Sequence, residues 1–184
     1  RPEGHHHLAR ACRLLERTEE ARGQVRRALE CDPDFVPAEI LGIELSGEPE
    51  DLQRSEVEKL RPKYEGRPGW QRWWLEAYAA MREKEWSKAA ASYGRLIALG
   101  EGAGQPYLGS TMEAYLGRGV AHIESKSYRL AIEDFCAART LAPGLEPELL
   151  LGKAYFLKGE KEDAEETFEG LYGSAGPREK TEAA

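Results

Sequence analysis

The chain has 184 residues, with 33 acidic and 26 basic side chains and a formal net charge of -7. This acidic balance argues against a protein that mainly grips phosphate backbones, because nucleic-acid-binding domains are usually basic. Hydrophobic residues make up 41% of the chain, which is enough for a folded core and too much for wholesale disorder. No apolar run is long enough to span a bilayer.

The N-terminal segment carries an arginine and three consecutive histidines where a signal peptide would have an apolar stretch. Neighbouring residues on a helix point about 100° apart, so the side chains of residues 5–7 cannot all converge on one metal ion. We interpret the histidine run as an exposed helix start or a remnant of cloning. The chain does not begin with Met, which motivates the alternative that it is a segment of a larger protein.

The three cysteines, Cys12, Cys31 and Cys136, are an odd and widely spaced set without a CxxC pair. A disulfide framework needs paired cysteines, and a zinc site needs clustered ligands. The cysteines are therefore predicted to be small hydrophobic residues in a reducing compartment. The predicted location is cytoplasmic.

A repeated helical pattern runs through the chain, and each copy contains one small anchoring alanine. The anchors are Ala21, Ala89, Ala131 and Ala164, separated by 68, 42 and 33 residues. Upstream of each anchor lies a second stripe whose spacings of three and four put it on one helix face. The stripes are Leu8, Ala9 and Cys12; Trp73, Ala77 and Ala80; Tyr115, Gly119 and His122; and Leu151, Gly152 and Tyr155. Each unit is predicted to be two antiparallel helices joined by a short turn.

The pattern is weakest in its second copy and is interrupted twice later. Ser55 stands where the small alanine is expected, and Pro62 is predicted to cut the second helix of that unit short. The glycine-rich stretch 100–110 predicts a loop, which in one reading folds over a helix face. Residues 173–184 are predicted to be a polar tail, with the start of a truncated further unit as the alternative.

This pattern resembles the tetratricopeptide repeat (TPR) family, whose units are helix-turn-helix pairs. Residues 115–143 and 150–168 follow the family pattern most closely. The resemblance covers nearly the whole chain and implies about five units, near residues 2–35, 36–69, 70–103 with an insert to 111, 112–144 and 145–172. It implies an all-α, right-handed α-solenoid of antiparallel helix pairs, in which the first helix of each unit lines a concave surface.

The same resemblance implies a peptide-binding groove on the concave surface. Its predicted residues are Trp74, Tyr78, Met81, Arg82, Leu116, Val120, Ile123, Leu149, Lys153 and Phe156. Trp74, Tyr78 and Met81 form an apolar stripe on a helix whose core face is already supplied by other residues. Such a stripe is either covered by the first two units or the insert, or it awaits a partner. Both readings stay open at this point, and an amphipathic helix or extended peptide would suit the groove.

Charge patterns refine the kind of partner. Some TPR proteins clasp the C-terminal carboxylates of chaperones with Lys, Arg and Asn at unit positions 5 and 9. The residues at those positions here are His6 and Arg10, Glu39 and Ile43, Trp74 and Tyr78, Leu116 and Val120, and Leu149 and Lys153. The basic and amide set is missing, which argues against a chaperone-tail clamp. Residues 158–170 carry six acidic side chains and two lysines, a pattern that fits a solvated outer helix or a basic partner.

Catalytic motifs are missing from the sequence. It contains no P-loop, HExxH, GxSxG or kinase signature, and acidic pairs such as Glu19–Glu20 and Glu165–Glu166 fit solvated helix faces. We predict no catalytic residues, no metal site and no cofactor, and therefore no enzyme.

The predicted function is that of a non-catalytic protein-protein interaction scaffold, which binds a peptide or helix in its apolar groove. Neither nucleic acid nor membrane insertion is expected. Two alternatives remain open: a regulatory or localising segment of a larger multidomain protein, such as a kinase or another enzyme, and a self-assembly module that forms a homo-oligomer.

Overall fold

A computed structural model of the chain describes residues 1–65, 69–101 and 108–175, which form ten α-helices and no strand. The helices are α1 (Pro2–Leu14), α2 (Thr18–Cys31), α3 (Val36–Glu44), α4 (Glu50–Tyr64), α5 (Trp70–Arg82), α6 (Trp86–Glu101), α7 (Leu108–Glu124), α8 (Tyr128–Leu141), α9 (Leu145–Lys158) and α10 (Lys161–Ala175). The chain divides into two compact parts, residues 1–99 and 100–184. From here on these parts, and not the single repeats, are called the first unit and the second unit.

One turn conformation recurs after the first helix of four helix pairs. The residues in the left-handed region of backbone space are Glu16, Lys84, Lys126 and Gly159, with φ of 58°, 60°, 61° and 96°. In each turn the residue that follows the left-handed one donates its backbone N–H to the carbonyl five residues before it, at N···O distances of 2.7 to 3.0 Å. This is the hydrogen bond that closes a Schellman motif. The anchoring alanines Ala21, Ala89, Ala131 and Ala164 each follow five residues later and are at most 2% exposed. The sequence repeat is therefore also a backbone repeat.

The second helix pair breaks this phase. Its left-handed residue is Gly47, Ser55 is exposed, and Val57 supplies the buried position on α4. The prediction that Pro62 cuts this helix short is wrong, because α4 continues to Tyr64. Pro62 lies in the last turn, where its missing N–H leaves only one carbonyl without its helical donor, and the fully buried Tyr64 ring fixes the helix end.

The core of the first unit is formed by α3, α4 and α5. Its buried residues are Val36, Ile40, Val57, Tyr64 and Leu75. Leu75, and not the predicted Trp73, gives α5 its large core side chain. Trp73 is partly exposed, with the guanidinium carbons of Arg72 and Arg95 lying 5.0 and 4.6 Å from its ring centroid. On α1, likewise, the predicted core residue Leu8 is exposed while Ala9 and Cys12 are buried.

His6 corrects the interpretation of the histidine run as an exposed helix start or a cloning remnant. Its side chain is buried, and its ring meets that of Phe35 edge-on with centroids 5.7 Å apart. His5 is also engaged, through a 2.8 Å hydrogen bond between its Nδ1 and Oε1 of Gln24. Burial lowers the pKa of His6 to about 3, and the nearby positive charges of Arg10, His7 and Arg13 add to the effect. His6 is therefore a neutral core residue at physiological pH.

We expect His6 to make folding stability depend on pH. The folded state keeps this imidazole neutral down to about pH 3, whereas the unfolded chain protonates it below about pH 6.5. The free energy of unfolding therefore decreases as the pH is lowered through that window, by about 2 kcal/mol from pH 7 to pH 5. Urea unfolding at both pH values gives the unfolding free energy of His6→Leu minus that of the unmodified chain. This difference should rise by the same amount when the pH is lowered from 7 to 5.

The control for this measurement is His7→Leu, on the exposed side of the same helix. Its stability relative to the unmodified chain should change much less between the two pH values. An equal pH response of both variants would contradict the assignment to His6.

The core of the second unit is formed by α7, α8 and α9, and α10 packs on α9. Its buried residues are Leu116, Ile123, Ala131, Phe135, Ala138, Leu151 and Ala154. Two glycines set the separation of the paired helices: a Cβ at Gly119 would lie 2.5 Å from the Phe135 ring, and one at Gly152 would lie 2.5 Å from the Phe168 ring. A side chain at either position would force the facing ring to shift, which costs most at Gly119 because Phe135 is fully buried.

Two predicted irregular segments are described only in part. Of the glycine-rich stretch 100–110, which is predicted to be a loop, residues 100–101 belong to α6 and residues 108–110 to α7. Residues 102–107 lie outside the described residues, and so does the proposed covering of a helix face by this insert. At the C-terminal end, α10 reaches Ala175, and residues 176–184 are again outside the described part.

Candidate functional site

The predicted groove residues of the first unit are half-buried. Trp74 and Tyr78 pack against the α3–α4–α5 core, and the Trp74 ring meets Tyr93 of α6 edge-on with centroids 6.5 Å apart. Met81 and Arg82 are also partly buried, and Arg82 forms a 2.9 Å ion pair with Glu50. Of the two readings of the aromatic stripe, the structure therefore favours covering by the preceding helices, which leaves little free apolar surface.

A carboxylate on α3 fixes Tyr78 in this covered position. The Tyr78 hydroxyl donates to Oε1 of Glu44 at 2.8 Å, and Arg13 of α1 donates to the other carboxylate oxygen of Glu44. Burial, together with the charge of Glu44, raises the pKa of Tyr78. The first helices of three successive pairs are thus joined by polar contacts at the place where the sequence predicts an apolar binding strip.

The predicted groove residues on α7 lie mostly inside the second unit. Leu116 and Ile123 are buried in its core, and Val120 is partly buried against the same cluster. These side chains hold α7 to its neighbours, so Leu116 and Ile123 do not present a surface to a partner.

The predicted residues on α9 are exposed instead. Leu149 is 45% exposed and Phe156 is 60% exposed, and Lys153 between them is exposed as well. Leu145 and Leu157 are also exposed. At 100° per residue, Leu145, Leu149 and Phe156 lie within 40° of each other around the helix axis, and Lys153 is adjacent. We call these five residues the α9 surface.

The opposite side of α9 is the side that packs into the fold. Leu151 and Ala154 belong to the core cluster, and Pro147 is buried too, whereas Gly152, which borders the α9 surface, packs against α10. The helix is therefore apolar on both sides, and only one of them is used within the described residues. A helix with a free apolar side is typical of a surface that receives a partner. The sequence prediction did not include Leu145, because this residue lies outside the groove positions of the repeat. Its four-residue spacing from Leu149 is the signal that could have placed it on the same helix face.

A partly buried ion pair joins α7 and α8. The Arg118 guanidinium grips Asp134 of α8 with three N–H···O contacts of 2.6 to 3.1 Å. Nε2 of His122 lies 3.8 Å from the same carboxylate, and burial lowers the pKa of His122 more than Asp134 raises it. This cluster resembles no catalytic arrangement, since its only candidate base faces a carboxylate that Arg118 already satisfies.

Two further classes of site find no support in the described part of the chain. Across the described residues, no three His, Cys, Asp or Glu side chains lie close enough together to hold a metal ion. Within the same ranges, none of the helices could span a bilayer.

Comparison with known proteins agrees with the repeat pattern. Residues 75–146 match the tetratricopeptide repeat family, while no curated protein matches the sequence. Among solved structures, PilW, a type IV pilus biogenesis factor, is similar with a TM-score of 0.62 at 15% identity, covering 95% of this chain and 77% of PilW. MamA residues 41-end from Desulfovibrio magneticus RS-1 gives a TM-score of 0.58 at 13% identity and covers 97% of both chains. YrrB, a TPR protein with an unusual peptide-binding site, gives 0.54 at 17% identity, covering 92% of this chain and 84% of YrrB.

Likeness at these identities shows the fold alone. The predicted fold class, all-α with TPR-like helix pairs of the α-solenoid type, is confirmed by the helices and by these neighbours. The resemblance of the sequence pattern to TPR repeats is confirmed as well.

Proposed function

We propose that this chain, of which residues 75–146 match the tetratricopeptide repeat family, is a non-catalytic scaffold that binds a protein segment on the α9 surface. The observation that supports the proposal is the exposure of Leu149 and Phe156 on the free side of α9. These side chains combine an aromatic anchor with aliphatic neighbours, the composition expected at the centre of a protein-protein contact.

The α9 surface favours an amphipathic partner. Burying the exposed parts of Leu145, Leu149 and Phe156 would contribute about 1 kcal/mol each, given about 1.5–3 kcal/mol for a fully buried side chain of this size. A single anchor would therefore bind weakly, and a helix or extended segment with apolar residues at every third or fourth position is needed. Lys153 beside the strip selects for an acidic residue next to those anchors.

Peptide binding has a parallel among the structural neighbours. YrrB is a TPR protein with an unusual peptide-binding site. The shared fold supports a peptide ligand for this chain too, on residues that the chain itself provides. Met81, Arg82 and Val120 are secondary in the proposal because they are partly buried.

We place the protein in the cytoplasm, without nucleic-acid or membrane partners. The three cysteines are unpaired, which suits a reducing compartment, and the acidic net charge disfavours phosphate backbones. The two alternatives have separate tests. An open reading frame that continues into a catalytic domain would favour the regulatory segment, and a solution mass above that of one chain would favour self-assembly.

Peptides selected for binding test the proposal without a known partner. A phage-displayed library of helical peptides is panned on the folded chain, and the winning peptide is synthesised. We expect Leu149→Ala/Phe156→Ala to weaken its binding at least about tenfold, equivalent to about 1.4 kcal/mol, as measured by fluorescence anisotropy. Circular dichroism checks that the variant stays folded.

The matched control is Leu130→Ala, which removes a similarly exposed leucine from α8. This variant should bind within about twofold of the unmodified chain, a difference well under 1 kcal/mol. Selected peptides whose affinity is the same for all three proteins would contradict the proposed site.

A further inference from the structure

The last three helices also form a groove that is distinct from the free side of α9. A groove of about 780 Å³ lies between α8 and α10 and has α9 as its floor. Its apolar lining comes from Leu145, Tyr155 and Leu171, of which Tyr155 and Leu171 are half-buried. Leu145 alone also belongs to the α9 surface. The groove is therefore wide enough for side chains and offers apolar contact at its base.

The charges along the groove are unequal. On the α8 side, Arg139 and Glu148 neutralise each other through a 3.4 Å ion pair. On the α10 side, Asp163 and Glu166 line the groove, and the structure gives neither of them an ion-pair partner among the described residues. The two carboxylates stand three residues apart on one helix, which puts their Cβ atoms about 5–6 Å from each other.

We infer that this groove binds a basic amphipathic segment of a partner protein, with an apolar anchor on Tyr155 and Leu171 and two cationic side chains on Asp163 and Glu166. The inference goes beyond the proposed function, because it concerns another face and a partner of opposite charge preference. The α9 surface carries Lys153 beside its apolar strip, whereas the groove presents two acids and no uncompensated cation.

Charge complementarity selects this occupant. Lys or Arg residues one turn apart on a helix match the spacing of the two acids, and their long aliphatic stems cover apolar surface while their charged ends stay wet. A purely apolar segment would leave the two carboxylates partly desolvated without compensation, and an acidic segment would be repelled.

Two designed peptides test the inference. One is a short amphipathic helix with a leucine face flanked by arginines, and the other has glutamates in place of the arginines. We expect the arginine peptide to bind the full chain and the glutamate peptide not to bind, in anisotropy measurements at low salt. Asp163→Asn/Glu166→Gln should weaken the arginine peptide about fivefold, given about 0.2–1 kcal/mol for each exposed charge pair.

The control variant is Glu162→Gln/Glu165→Gln, which removes the same number of charges from residues of α10 that do not line the groove. Binding to this variant should change less than twofold, about 0.4 kcal/mol. Equal losses in both variants would show attraction to net charge only and would overturn the inference.

Two other outcomes would overturn the inference and identify a different site. Loss of arginine-peptide binding in Leu149→Ala/Phe156→Ala, with no loss in Asp163→Asn/Glu166→Gln, would place the peptide on the α9 surface. Sedimentation that shows dimers dissociated by Asp163→Asn/Glu166→Gln would make a second copy the occupant. The proposed function is tested independently, because its experiment changes neither Asp163 nor Glu166.

Discussion

Replacing Phe135 with alanine is expected to lower the free energy of unfolding by about 3–5 kcal/mol, the largest single effect in the second unit. The ring is fully buried in the core cluster of α7, α8 and α9. It fills the space that Gly119 leaves open on the facing helix, so its removal creates a cavity that the surrounding helices can close only in part. Urea denaturation followed by circular dichroism measures the change.

Phe156→Ala is the matched control for this substitution. It removes the same ring from the same unit, but Phe156 is 60% exposed, so the expected change in unfolding free energy is within about 0.5 kcal/mol. Similar losses for Phe135→Ala and Phe156→Ala would contradict the assignment of one ring to the core and the other to a free surface.

Replacing Arg118 with leucine is expected to destabilise the second unit by about 3 kcal/mol. The side chain of Asp134 is only 5% exposed, and Arg118 supplies its main charge partner. Without the guanidinium, a buried carboxylate loses its compensation, which is the costly way to break an ion pair. His122, at 3.8 Å, is too far away to replace the lost hydrogen bonds.

A double-mutant cycle checks this expectation through an asymmetry. Asp134→Leu should cost less than Arg118→Leu, because Arg118 is 27% exposed and water can solvate the charge that is left. The double variant Arg118→Leu/Asp134→Leu should be more stable than Arg118→Leu alone, since no buried charge remains. Additive losses in the double variant would contradict a coupled pair.

The fold could be predicted from the sequence because one physical signal repeats. Small residues such as Ala131 are required wherever two helices cross closely, and each is placed by a turn that ends the preceding helix. The same positions in the structure show buried alanines and left-handed turn residues in matching phase. Packing constraints of this kind are local, so their spacing is visible without any knowledge of the neighbours.

The exposed or buried state of the groove positions could not be predicted in the same way. Trp74 and Tyr78 occupy positions that face the groove in the repeat, yet helix α3 provides Glu44 and a core that cover them. Leu116 is equally apolar and is buried by α8 and α9. For Trp74 and Tyr78 the covering neighbour belongs to the irregular second pair, where the repeat phase is lost.

His6 and Pro62 show two other limits of sequence reasoning. A histidine run normally indicates solvent or a tag, and only the contact with Phe35, an aromatic residue far along the chain, reveals that His6 is buried. Pro62 normally ends a helix, and only the burial of Tyr64 shows why the last turn continues. Both corrections depend on tertiary contacts.

The central claim is that the free side of α9 is the surface that receives a partner. The most direct measurement is the change in backbone NMR shifts when a display-selected peptide is added to the isotope-labelled chain. We predict that the largest changes fall on Leu149, Lys153 and Phe156 of α9. Changes centred on Trp74 and Tyr78, with α9 unaffected, would contradict it.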